Sequence, residues 1–157
     1  IPQWKKYQAT YEWYCQSIRY YILSRLLENC GSVIVTDVDA VALRVPEPQQ
    51  LADLTKHTQF NISNGRLYAN FCNIHSDDLA LARQLAQEIK TGCLAGDKSG
   101  NDQVAMKKIF TQPRSMSQCW TDQEDINDPN IVERKMQKIV FHAKGTRGKD
   151  FKLPTSS

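Results

Sequence analysis

Two carboxylates one residue apart stand at the front of an otherwise aliphatic run, Thr36-Asp37-Val38-Asp39-Ala40-Val41-Ala42-Leu43-Arg44-Val45. Such a run favours a buried strand, where an ionised carboxylate is costly unless water, hydrogen bonds or a cation compensates it. Either a turn solvates Asp37 and Asp39 or a site uses them; the chemistry that paired carboxylates suit is the holding of a hard divalent cation through oxygen. A second stretch, Gln87-Glu88-Ile89-Lys90-Thr91-Gly92, spaces a carboxylate and an ammonium by two. Those two side chains share a side only on a strand, where the period is two. His57, His75 and His142 are scattered without metal-site spacing and read as surface or packed histidines. The five cysteines are dispersed and never form C-x-x-C, which argues against a zinc ribbon or a disulfide framework and for free thiols. No G-x-S-x-G, P-loop or dinucleotide fingerprint occurs. Gly92-Cys93-Leu94-Ala95-Gly96 could cradle an anion, but it reads first as a flexible connection.

The elements that must position these groups are legible in part. Trp4, Tyr7, Tyr11, Tyr14, Ile18 and Tyr21 recur at three- and four-residue steps, and Leu23, Leu26 and Leu27 carry the apolar surface to Cys30-Gly31, which predicts a long amphipathic helix. Lys5, Lys6, Arg19 and Arg25 lie among these aromatics, a mixture able to stack bases and neutralise phosphates. An aromatic stripe packed on a sheet, with basic side chains reaching out at its edge, explains the same pattern. Ser32 to Val35 and Val38 to Val45 read as strands ended by Pro46-Glu47-Pro48, Gln49 to His57 as a short helix, and Phe60 to Ile74 as a hairpin turning at Ser63-Asn64-Gly65. Gly92 to Gly100, with three glycines, reads as a loop, Asp102 to Phe110 as a helix, Gln112 to Asn130 as irregular chain, and Ile139-Val140-Phe141 as a late strand. Ser76 to Lys90 carries two signals. Ser76 as N-cap, Asp77 and Asp78 in the first turn, the shared face of Leu79, Ala82, Ala86 and Ile89, and Gly92 at the end describe a helix; a strand alone gives Glu88 and Lys90 a common side.

Taken together, "TDVDAVAL" and "EIKTG" resemble the two pieces from which the PD-(D/E)xK nuclease superfamily assembles its metal site: an acidic residue on one strand, then Glu-x-Lys on another. Asp39 would match the metal-binding aspartate, Glu88 the second carboxylate and Lys90 the catalytic lysine. Glu12 on the first helix would join the metal, and Gln103 would match a glutamine on the helix after the Glu-x-Lys strand. The resemblance implies a Mg²⁺ or Mn²⁺ ion that polarises the scissile phosphate, with Lys90 orienting the attacking water or stabilising the developing charge. It covers about a tenth of the chain. The gap between Asp39 and Glu88 requires an inserted helix and hairpin, and Val38 stands where the family often has proline. Asp37-Val38-Asp39 also resembles the D-x-D site of nucleotide-sugar glycosyltransferases, which need a larger nucleotide-binding domain than 157 residues comfortably allow.

Length and composition set the frame. The 157 residues fit one domain, taken as residues 1–143 with a basic tail at 144–157 holding Lys144, Arg147, Lys149 and Lys152. The hydrophobic fraction of 41% and charged fraction of 24% are ordinary for a globular chain, and no apolar run approaches the roughly 18 residues that span a bilayer. A cytoplasmic location is expected, although Asn61-Ile62-Ser63 matches a glycosylation sequon. The net charge of +3 leans toward anionic partners. The expectation is therefore an α/β protein with a mixed central sheet flanked by helices, restriction-endonuclease-like, that hydrolyses nucleic acid, DNA rather than RNA. Lys5, Lys6, Arg19, Lys98, Gln103 and Lys107 are its candidate nucleic-acid contacts, and a homodimer is compatible. The alternative is a non-enzymatic α+β module of two hairpins and three helices that binds nucleic acid or protein.

Overall fold

The computed structural model describes residue 15, residues 17–122 and residues 128–142. The chain runs through helix α1 (residues 17–27), strands β1 (Ser32–Thr36) and β2 (Ala40–Ala42), helix α2 (Pro48–Thr55), and strands β3 (Gln59–Ser63) and β4 (Arg66–His75). Helices α3 (Leu79–Ala95), α4 (Asp102–Ile109) and α5 (Ile131–Met136) follow, and strand β5 (Val140–His142) closes the described residues; single 3₁₀ turns lie at Ser76–Asp78 and Lys98–Gly100. The first part of the expected N-terminal helix, including Glu12, Lys5 and Lys6, and the basic tail lie outside the described residues.

The hairpin follows most directly from local sequence. Asn64 and Gly65 take φ of 51° and 71°, the left-handed pair that an Asn-Gly hairpin turn accommodates, and they join β3 to β4. β4 is the central strand of an antiparallel sheet in the order β1-β4-β3. Its pairing with β3 jumps from Asn61↔Tyr68 to Phe60↔Cys72, so residues 69–71 are extra on β4. The irregularity resets the side-chain alternation: Leu67 before it, Ala69 at its start and Cys72 and Ile74 after it all enter the same core, while Phe71 joins a different one. The main core also takes Tyr20, Leu23 and Leu27 of α1, Ala82, Leu85, Ile89 and Cys93 of α3, and Ala105 and Met106 of α4. The smaller core gathers Leu54, Phe71, Met116, Trp120 and Ile139, with the Phe71 and Trp120 rings stacked at 5.9 Å.

A separate antiparallel ribbon pairs β2 with β5, setting Ala40 opposite His142. Among the described residues the protein is thus a mixture of helices with two small antiparallel sheets, where a single mixed sheet was expected. The second expected strand, Val38 to Val45, shortens to Ala40–Ala42 because a turn consumes residues 37–39.

The largest departure from the sequence reading is α3. Residues 87–90, expected as a Glu-x-Lys strand, lie inside a 17-residue helix. Ala82, Leu85, Ile89 and Cys93, at steps of three and four, bury one face against the sheet, so helical periodicity and tertiary packing agree. Gly92 is not the stop. A Cβ there would collide with the backbone of Ser99 and Gly100, so glycine serves a close approach of chain segments. The helix ends at Gly96, with φ of 65° and its N–H bonded to Cys93 O at 3.2 Å. The expected 92–100 loop is accordingly helix as far as Ala95 and a 3₁₀ turn from Lys98.

Candidate metal centre

Asp37 sits just past β1. Its N–H donates to Asn70 O at 3.0 Å, extending the β1–β4 ladder by one bond, and its carbonyl accepts from Ala40 N–H at 3.2 Å, closing a tight turn. That turn lifts Val38 fully into solvent and brings the Asp37 and Asp39 carboxylates, 26% and 30% exposed, to one corner. β2 then departs to pair with β5, and the Ala40↔His142 register delivers the buried His142 ring to the same place. His142 Nε2 lies 2.8 Å from Asp37 Oδ2 and 3.4 Å from Asp39 Oδ1. One ligand atom from each of the three residues lies within 4.8 Å of the others. Bonds of about 2.1 Å to a common ion require neighbouring ligand atoms roughly 3.0 to 3.4 Å apart; the Asp39 distance meets this, while the 2.8 Å to Asp37 is a hydrogen-bond distance that must open slightly to admit an ion.

One partly buried and one buried cation frame the corner. Arg19 of α1 donates to Thr36 O at 2.8 Å and to Ala69 O at 3.3 Å, pairs with Asp37, and reaches Asp102 Oδ2 at 3.1 Å. Burial opposes its charge, but Tyr20, Asp37 and Asp102 outweigh that and hold the guanidinium above its ordinary value. Lys135 of α5 is 1% exposed and donates to His142 O at 2.9 Å. Burial lowers its ammonium below the ordinary lysine range, with Asp122 and Asp39 pulling the other way. Burial likewise pushes Asp37 up, yet the His142 hydrogen bond and the Arg19 charge leave its carboxyl below the ordinary value. Asp37 is therefore ionised at neutral pH, with Arg19 on one carboxylate oxygen and His142 on the other.

The structure brings Asp39 and Arg19 to this corner and leaves Glu88, Lys90, Gln103, Lys98 and Lys107 out of it. Glu88 pairs with Lys108 at 2.5 Å, and Lys90 is exposed on α3, about 200° around the helix from Glu88, so the two cannot share a side. Glu12, Lys5 and Lys6 lie outside the described residues. Arg19 is engaged in the clasp just described. Gln103 accepts from Ala69 N–H at 2.6 Å and donates to Leu67 O, tying α4 to β4 through the irregular stretch. Lys98 and Lys107 are exposed. Asn61 of the sequon is 4% exposed and donates to Asn70 Oδ1 at 3.2 Å, so in the fold it is a core amide. All five cysteines carry free thiols, and burial pushes that of Cys72 up to about 12.

No protein-family model, curated protein or solved structure matches the chain. Among the described residues, no helix is long and apolar enough to cross a membrane. Sequence reasoning missed His142 and Lys135, and it set Asp37 aside in favour of Asp39. The signal for Asp37 was its place in the D-x-D pair. His142 is 103 residues from Asp39 and carried none, because only the β2–β5 pairing brings it in.

Proposed function

We propose that the chain is a divalent-metal-dependent phosphodiesterase acting on nucleic acid, with its metal centre at Asp37, Asp39 and His142. The observation that carries the reading is the convergence of two carboxylates and an imidazole, with one ligand atom of each within 4.8 Å of the others, in a partly exposed corner. The PD-(D/E)xK resemblance contributes the reaction class and Asp39; its restriction-endonuclease-like sheet, with Glu88 and Lys90 on a strand, is not carried into the proposal. A mixed nitrogen and oxygen donor set suits Mn²⁺, the second of the two ions expected, or Zn²⁺ better than Mg²⁺. Once bound, such an ion would supply Lewis-acid polarisation of a phosphoryl oxygen and a lowered pKa for a coordinated water.

The protein's own groups have distinct tasks. Asp37 and Asp39 provide oxygen ligands and the negative charge that attracts a cation. His142 offers Nε2, and Lys135, bonded to the His142 carbonyl, fixes the backbone from which the ring projects. Arg19 keeps a permanent positive charge beside Asp37, suited to an anionic phosphate. Exposed Lys98 and Lys107 are available to a polymer backbone, DNA being the expected one.

One observation favours a second reading: Arg19 and His142 already pair with Asp37, as they would in a structural clasp joining α1, the β1–β2 turn and β5 within a non-enzymatic binding module. Isothermal titration of the protein with Mn²⁺ and Zn²⁺, alongside cleavage of labelled single- and double-stranded DNA, separates the two. Saturable binding and cutting that both vanish in Asp39→Ala support the enzyme; absence of any divalent binding rejects it in favour of the clasp.

A further inference from the structure

The molecule has a second concave feature at the other end of β1. Asp37 follows Thr36, which pairs with Phe71, whereas Ser32 at the start of β1 pairs with His75. Five residues of strand separate the two places by about 16 Å. At the His75 end lies a cavity of about 430 Å³, in the size range of small-ligand sites. Its walls come from the β3 and β4 ends, the start of α3, the end of α4 and the chain that follows.

These walls are held by hydrogen bonds to one another. Thr58 Oγ1 accepts from His75 N–H at 2.9 Å, Asn73 donates to His57 O at 2.8 Å, and Phe60 N–H donates to Arg114 O at 2.9 Å. Asp77 N–H donates to His75 Nδ1 at 3.1 Å, which assigns the hydrogen of the neutral ring to Nε2. The cavity therefore exists before any ligand arrives.

Its chemistry is graded from side to side. Asp77 and Asp78 stand beside β4, and Arg114 stands on the segment that bridges to β3 beyond it through Phe60↔Ser115. Two inter-strand spacings, about 10 Å, lie between the acidic and the basic walls. Apolar Leu81, Ile109 and Phe110 line the same cavity. The Arg114 guanidinium and the Asp78 carboxylate have no hydrogen bond or ion pair with other described residues. A ligand that satisfies all of this has a flat apolar body, N–H donors on one edge for the carboxylates, and an anion at the far end for Arg114.

We propose that this cavity binds one nucleotide, its base over Leu81, Ile109 and Phe110 with the amino edge toward Asp78, and its phosphate on Arg114. The nucleotide is either free or part of a strand. At about 3.4 Å per stacked nucleotide, a strand with its scissile phosphate at the metal centre reaches the cavity some five nucleotides away. The inference extends the phosphodiesterase reading, but its readout needs neither metal nor cleavage, so the two fail separately.

Titration of the metal-free full chain with AMP, GMP, CMP and UMP, with inorganic phosphate as control, tests it by calorimetry. Saturable nucleotide binding is expected, at least tenfold tighter than phosphate, weakened at least tenfold by Arg114→Glu and about threefold or more by Asp78→Ala, and unmoved in Glu88→Ala. Both cavity variants alter partly or fully exposed side chains, so circular dichroism should show an intact fold. Equal affinity for phosphate, no binding, or binding indifferent to Arg114→Glu would overturn it. Fluorescence anisotropy with a labelled eight-nucleotide strand distinguishes the sources: displacement by mononucleotide together with a loss in Arg114→Glu points to a strand-bound nucleotide, while insensitivity to both leaves the free mononucleotide.

Discussion

The β1–β2 corner and the middle of α3 each hold a carboxylate with a cation two or more residues away, and the fold treats them in opposite ways. At the corner, a turn and a long-range strand pairing concentrate Asp37, Asp39 and His142 while Arg19 and Lys135 close in from two helices. On α3, the helical repeat drives Glu88 and Lys90 apart, and Glu88 takes Lys108 as its partner. Spacing in sequence has meaning only once the period of the element is known. The Glu-x-Lys stretch falls on a helix and its charges diverge, whereas the D-x-D stretch gathers its carboxylates beside His142 because the strand stops where a flat strand would have sent both carboxylates inward.

The strongest way to break this comparison is to exchange the roles of the two regions. Asp39→Ala should lower divalent affinity and any cutting by at least about 100-fold, removal of a direct ligand exceeding the 10- to 100-fold of an outer partner; an unchanged Mn²⁺ isotherm would move the metal away from the corner. Adding EDTA should reproduce the loss of cutting in the unmodified protein, and Mn²⁺ should restore it.

Next in size, Gly92→Ala should destabilise the fold by about 1–3 kcal/mol, since the added methyl meets the Ser99 and Gly100 backbone, which cannot rotate aside. Urea midpoints read this directly. A neutral or stabilising result would mean that α3 does not approach the 98–100 turn so closely.

A subtler contrast lies in the two carboxylates that share Arg19. Burial raises Asp102 above its ordinary value of 3.8, against the pull of Arg19. The folded protein thus keeps that proton to a higher pH than the unfolded chain, and the stability it contributes falls as pH rises from 3.8 through the folded value. Asp37, depressed in the fold, contributes stability that is present above 3.8 and lost as pH falls below it. In metal-free protein, Asp102→Asn should flatten the decline on the high side of that value and Asp37→Asn the decline on the low side. Urea denaturation across about pH 2 to 6 measures both slopes, and matching slopes in the two variants would contradict the assignment.

The smallest effects belong to the Glu-x-Lys pair of α3. Glu88→Ala should cost no more than about 1 kcal/mol, the range of a surface ion pair, and Lys90→Ala about 0.5 kcal/mol or less, with metal affinity and cutting untouched in both. A loss of activity in either would restore the Glu-x-Lys motif to the site.

The sequence alone determined the parts of the fold that local physics decides. Asn64-Gly65 requires a left-handed turn and so announces the hairpin; Pro48 opens α2; Asn101 caps α4 by accepting from Val104 N–H at 3.3 Å; and the aliphatic run of β1 needs no partner to be read as a strand. It also marked Asp37 and Asp39 as carboxylates in need of an explanation. Tertiary structure decided the rest. Gly92 looks like a helix stop until Gly100 is packed against it, and whether residues 87–90 form helix or strand depended on which face the sheet would bury. Burial of Lys135 and the arrival of His142 beside Asp39 depend on β5 pairing with β2 across 102 residues of chain. Periodicity and capping act over a few residues and leave their record in neighbouring letters; the convergence of ligands is set by loop closure and sheet pairing, which leave none.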